Sequence, residues 1–115
     1  MSPSRVATTR PSDAAPVFAA LGDTTRLGLL GRLSADGPLS ITRLSQGTGV
    51  TRQAITRHLD ALGRVGLVRD TRRGRERVFS LDGKRLAIAR HYLDRVAAQW
   101  DAAAARLKAF VEERE

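Results

Sequence analysis

Residues 49–59 read GVTRQAITRHL, and the orientation of this stretch decides the fold. Thr51 can accept a hydrogen bond from a backbone N–H at the start of a helix, which makes it an N-cap. On a 3.6-residue helix, residues 51–65 divide into two faces. Ala54, Ile55, His58, Leu59, Leu62 and Val65 share the apolar side, whereas Arg52, Gln53, Thr56, Arg57, Asp60 and Arg64 share the polar one. The first side makes core and the second faces out. Gly66 is placed to stop the helix in the left-handed conformation.

Upstream, Ser40 caps a very short helix, ITRLSQG, with Ile41 and Leu44 inward. Gly47-Thr48-Gly49 then forms a tight turn. Two helices joined by a glycine-containing turn make a helix-turn-helix over about 40–65. Before it, Asp23 caps a helix with Leu27, Leu29, Leu30 and Leu33 as its apolar positions, stopped by Asp36-Gly37-Pro38. A short first helix is predicted at Pro16–Leu21, with Val17, Phe18 and Leu21 on one side. Residues 1–13, rich in Ser, Thr and Pro, read as a disordered tail, leaving one domain over 14–115.

Downstream, two strand-like runs flank Arg73-Gly74-Arg75, which predicts a two-stranded β wing over about 67–81 anchored by Val68, Val78, Phe79 and Leu81. From 84 to about 113 the chain reads as one long helix. Leu86, Leu93, Trp100 and Leu107 recur every seven residues, with Ala89, Val96, Ala103 and Phe110 three after each. Such a helix spans about 45 Å, more than a small domain covers. The seam therefore calls for a second copy. The alternative is that it packs wholly on its own domain. The fold class is mainly α (α+β), a winged helix-turn-helix with a long C-terminal dimerisation helix.

Charge points to the partner. The net charge is +8. Residues 49–77 carry eight arginines against Asp60, Asp70 and Glu76, so +5 of it lies in this quarter of the chain. A basic surplus of this size suits a polyanion, and arginine's planar fork suits phosphate and guanine. Glutamine can pair adenine, arginine guanine, and a threonine methyl can touch thymine. Thr51, Arg52, Gln53, Thr56 and Arg57 are the candidate DNA-reading residues. Arg72, Arg73, Arg75 and Arg77 are candidates for phosphate or minor-groove contact. The alternatives are a solvated polar face, with Thr51 only a cap, and a solvated charge run.

The order helix, helix-turn-helix, wing, long helix resembles the ArsR/SmtB family of bacterial repressors. LGDTTRLGLLGRL (21–33), the run from Leu39 to Val68, RRGRERVFSL (72–81) and the closing helix carry the resemblance. It implies a homodimer formed through the first and last helices, with Val17 and Phe18 of the first helix in the interface, binding double-stranded DNA at an operator near a promoter and usually repressing. Arg26 stands where the family has an arginine ahead of the second helix; a phosphate contact and an ion pair with Asp23 are both open. Many relatives respond to metals. Here the segment ITRLSQGTG has no Cys-x-Cys, and the last helix offers His91 and Asp94, plus Asp82 near its start, short of the roughly four ligands a stable site needs. No metal and no cofactor is expected, and no inducer is indicated. The segment YLDRVAAQWDAAAARLKAFVEE is similar to that of relatives encoded beside START-like ligand-binding proteins, which lack a metal motif.

Other classes fare worse. The chain has no cysteine, so a thiol nucleophile, a thiolate metal site and a disulfide framework are excluded. It has no phosphate-cradling glycine motif, so an enzyme is not expected. A dimeric adaptor, a nonspecific nucleoid-type DNA binder and a metal-responsive repressor remain as alternatives. No apolar run is long enough to span a membrane, and no apolar signal core opens the sequence, so a cytoplasmic, nucleoid-associated protein is expected.

Overall fold

The first helix, α1 (Pro11–Leu21), begins five residues before the expected Pro16. Proline suits the first helical position because its missing N–H has no partner to lose there. Asp13, in the first turn, accepts the backbone N–H of Arg10 at 3.3 Å and completes a capping arrangement. Pro16 thus lies inside the helix, not at its start. The computed structural model describes residues 10–114. Most of the expected tail lies outside the described residues, but 11–13 are helical.

α2 (Thr24–Asp36) starts on Asp23, whose carboxylate accepts the N–H of Arg26 at 3.0 Å. Leu29 and Leu33 are buried, Leu30 lies at the core margin, and Leu27 is 53% exposed. Residues two apart on a helix point about 200° apart, so Leu27 and Leu29 cannot both face inward. A two-residue strand, β1 (Leu39–Ser40), leads into α3 (Ile41–Ser45), capped by the Ser40 hydroxyl. α3 ends two residues short of the expected Gly47. Arg32 of α2 donates to the carbonyls of Arg43 and Leu44 at 2.8 and 2.9 Å. It thereby satisfies acceptors left open at the end of α3.

α4 (Arg52–Arg64) is capped by the Thr51 hydroxyl, which accepts the N–H of Ala54 at 3.1 Å. Its end is a Schellman motif: Leu67 N–H donates to the Leu62 carbonyl and Gly66 N–H to that of Gly63. Gly66 adopts φ +77°, as the motif requires. The two-faced reading of 51–65 holds. Ile55, Leu59 and Leu62 are fully buried, Ala54, His58 and Val65 are half-buried, and Arg52, Gln53, Arg57 and Arg64 are exposed; Thr56 and Asp60, on the polar side, are half-buried.

β2 (Val68–Arg73) and β3 (Glu76–Leu81) form the wing, and β1 pairs with the other edge of β3, giving an antiparallel sheet in the order β1-β3-β2. Arg73 pairs with Glu76, so the loop is the two residues Gly74-Arg75. Gly74 has φ +61° and no described non-glycine has a positive φ, which makes this a type II′ turn. Phe79 and Val68 anchor the hairpin in the core and Val78 is half-buried; Leu81, the last residue of β3, is 40% exposed and anchors little.

α5 (Gly83–Glu113) closes the chain. Asp82 caps it through the N–H of Lys84. Only Ala89 of α5 is buried, and every residue from 97 to 114 is exposed. Phe18 of α1 meets Tyr92 of α5 edge-on, with ring centroids 5.9 Å apart. Val17 departs from its expected place at an interface between copies. It is 2% exposed and belongs to the protomer's own core, because Ala14, Val17 and Ala20 form the buried stripe of α1.

Candidate nucleic-acid interface

The N-terminal turns of α4 present one polar surface. Arg52, Gln53, Thr56 and Arg57 line a shared shallow concavity. The Thr56 hydroxyl donates to the Arg52 carbonyl at 2.9 Å. Thr51 is exposed, with its hydroxyl committed to the cap. No ion pair holds the Arg52 or Arg57 side chain among the described residues.

The wing places Arg72, Arg73 and Arg75 at or beside the turn, all exposed and likewise without an acidic partner among the described residues. Unlike Arg72, Arg73 and Arg75, Arg77 is paired with acids. Its guanidinium donates to Asp60 of α4 at 2.9 Å and, through Nε and Nη2, to Asp70 of β2 at 2.9 and 2.6 Å. It also lies over the Phe79 ring, 5.0 Å from the centroid. The bonds to Asp60 and then Asp70 hold its proton more firmly than usual. Arg77 stands opposite Arg72 in the ladder, where like charges repel; the two carboxylates offset that repulsion. No local pattern announces this cluster, since its members are seven and seventeen residues apart.

Arg26 and His58 fill roles that neither alternative reading of Arg26 described. The Arg26 side chain donates to the carbonyls of Ala20 and Ala19, at 2.6 and 3.3 Å, capping the end of α1. It also meets His58 Nδ1 at 3.2 Å. A guanidinium has only donors, so Nδ1 accepts in this contact, while Asp23 Oδ2 lies 3.8 Å from the same nitrogen. Arg26 therefore ties α1 to α4 and does not face outward for a phosphate. Asp23 is held below the usual carboxylate range, first by the Arg26 N–H and secondarily by the nearby charge of Arg26. His91 and Asp94 are exposed on α5. The described residues contain no group of three or more His, Cys, Asp or Glu placed to hold a metal.

A second surface is apolar. Leu86, Leu93, Trp100, Leu107 and Phe110 are 48%, 55%, 74%, 63% and 53% exposed along α5, with Val96 half-buried beside them. No helix among the described residues is long and apolar enough to cross a membrane.

Comparison with known proteins agrees with this architecture. A helix-turn-helix domain family matches residues 21–71. The chain is 42% identical over 76 residues to the HTH-type transcriptional regulator Rv2034 of Mycobacterium tuberculosis, covering 66% of this chain and 70% of that protein. The structure of an ArsR-like transcriptional regulator from Rhodococcus sp. RHA1 superimposes with a TM-score of 0.73 at 37% identity, over 86% of this chain and 92% of that one. The homodimeric winged helix-turn-helix DNA-binding domain Mb0332 of Mycobacterium bovis matches at a TM-score of 0.61 and 26% identity, over 86% and 88% of the two chains. Rv2034 and the Rhodococcus protein are transcriptional regulators, and Mb0332 is a possible one of the ArsR family. With its helix-turn-helix, its three-stranded wing sheet and its long last helix, the chain belongs to the ArsR family of winged helix-turn-helix transcriptional regulators.

Proposed function

We propose that the protein is a homodimeric, sequence-specific repressor that binds a palindromic operator in double-stranded DNA. The observation that carries this reading is the set of unpaired side chains at the start of α4, Arg52, Gln53 and Arg57, beside the unpaired arginines of the wing tip. A helix N-terminus bearing Gln, Thr and Arg suits the major groove, where bidentate pairs to adenine or guanine discriminate by about 1–3 kcal/mol each. Thr56, its hydroxyl turned back to the helix, keeps its methyl for thymine. Arg72, Arg73 and Arg75 suit phosphates or the adjacent minor groove.

The dimer follows from the apolar stripe of α5. A helix of 31 residues packed on its own domain along one part only leaves Leu86, Leu93, Trp100 and Leu107 for a second copy. The homodimeric state of the Mb0332 domain supports this assignment. Phe18 and Val96 border the stripe; Val17 does not reach it. A symmetric dimer presents two recognition helices and so reads a palindrome. Nothing in the described residues favours a metal signal over a non-metal one.

Selecting bound fragments from random DNA tests the reading. The expected result is a short palindrome bound at least about a thousandfold more tightly than random duplex. Gln53→Ala and Arg57→Ala should relax base choice within it. Arg75→Ala should weaken binding to all duplexes and flatten its salt dependence. Equal affinity for every duplex would leave only nonspecific packaging, and no binding at low salt would leave an adaptor.

A further inference from the structure

The Arg77 cluster spans the two elements assigned to DNA. Asp60 lies on α4, three residues after Arg57 and four after Thr56, so it shares their face one turn along. Asp70 and Arg77 lie on the two wing strands. Arg77 is one ladder position from the Arg73–Glu76 pair that closes the turn. Nε and Nη2 of Arg77 converge on one oxygen of Asp70, Oδ2, Nη2 also reaches Asp60, and the Phe79 ring lies alongside. A planar fork held on three sides has its orientation fixed in a way a single ion pair would not provide. The other ties between the wing and the body reach no nearer the tip than mid-strand. They are β1 on Phe79 and Val78, and the buried side chains of Phe79 and Val68. Nearer the tip, the Arg77 cluster is the polar link from wing to α4 among the described residues.

We infer that Arg77, with Asp60 and Asp70, is a positioning residue that sets the wing tip relative to the reading face of α4, and so supplies sequence discrimination without touching DNA. The inference rests on the proposed DNA-reading role of α4 and the wing. Its physical basis is pre-organisation. A wing already fixed at the right spacing lets major-groove and wing contacts form together, but only on a site whose groove geometry matches. A hinging wing still finds phosphates on any duplex. The guanidinium's charge is already answered by two carboxylates, so it is not the cation that displaces counterions from DNA.

The test compares operator and random duplex for wild type, Arg77→Met and Asp60→Asn, across a salt series. Met keeps the stem and loses the fork; Asn keeps the shape and loses the charge. Both variants should bind the selected operator at least tenfold more weakly while random-duplex affinity falls less than threefold. The slope of log affinity against log salt should stay at the wild-type value. Footprinting should show protection by the wing weakened and protection by α4 retained. A parallel loss on both duplexes, with a salt slope shallower by about one, would make Arg77 an ordinary phosphate contact. An unchanged specificity ratio in folded variants would make the cluster purely structural and overturn the inference. If Arg77→Met fails to fold, Asp60→Asn, at a half-exposed site, decides alone. Absence of operator preference in wild type would instead sink the DNA-reading assignment, and the inference with it.

Discussion

Replacing Trp100 by Asp separates folding from assembly, because this side chain is 74% exposed in the protomer and has no place in its core. A tryptophan carries up to about 250 Å² of burial area, so roughly 185 Å² remains open here. If a partner covers half of that, about 90 Å² leaves water in each copy. At about 25 cal/mol per Å² this is worth about 2 kcal/mol, and twofold symmetry counts it twice, for about 4–5 kcal/mol. Each 1.4 kcal/mol is a factor of ten, so the dimer dissociation constant should rise by about a thousandfold. Burying a carboxylate against the opposing stripe adds to the loss. Sedimentation equilibrium over a concentration series is the assay, with far-UV circular dichroism as the folding control. Wild type should weigh two protomers at micromolar concentration, and Trp100→Asp one, with undiminished helicity. Operator affinity should drop with it, since a monomer holds one half-site. A wild-type monomer at that concentration, or a variant as dimeric as wild type, refutes the reasoning.

The other predictions concern stability. Gly28 and Gly31 lie on α2 with open space where a Cβ would go. Each Gly→Ala change should therefore stabilise by about 1 kcal/mol, read as a rise in melting temperature; a loss would mean that another surface covers them in the working assembly. Gly66→Ala should cost about 1–2 kcal/mol from the left-handed backbone alone, with Arg85 displaced as well, since its Cγ lies 2.7 Å from the added Cβ. Chemical denaturation measures this. Asp23 has a lowered folded-state pKa, chiefly because of the Arg26 N–H. Its cap thus contributes fully above the unfolded value, about 3.9, and the contribution is lost as pH falls through the lower folded value. Asp23→Asn keeps a cap without that titration and should flatten the acid limb of a stability–pH curve; an unchanged limb would assign it to other carboxylates.

Local signals made the helix-turn-helix legible. Ser40, Thr51 and Gly66 mark its boundaries by cap chemistry, and the spacing of Ile55, Leu59 and Leu62 orients α4 without reference to anything distant. The wing's turn was legible for the same reason, through Gly74. What escaped lacks a local signature. β1 is two residues long, too short for alternation, and exists because Leu39 and Ser40 meet Phe79 and Val78 across the fold. The start of α1 was misplaced because Pro16 reads as an N-terminal proline, while the true start uses Pro11 and Asp13. Arg77 counted as one more cation of a basic run, since its acids approach only when wing and helix pack. Arg26 and Arg32 serve as caps for neighbouring helices, and sequence spacing cannot show which carbonyls they reach.

The outer surface of α4 contributes little to holding α4 in place. The helix is fixed from behind by Ile55, Leu59 and Leu62, from one end by Thr51 and from the other by Gly66. Arg52, Gln53 and Arg57 can thus be exchanged at little cost to the fold. In evolutionary terms, operator preference can drift while the scaffold stays constant, and duplicated copies of such a gene can acquire new targets through a few point changes. Asp60, on the same surface but pinned by Arg77, is the position where that freedom ends.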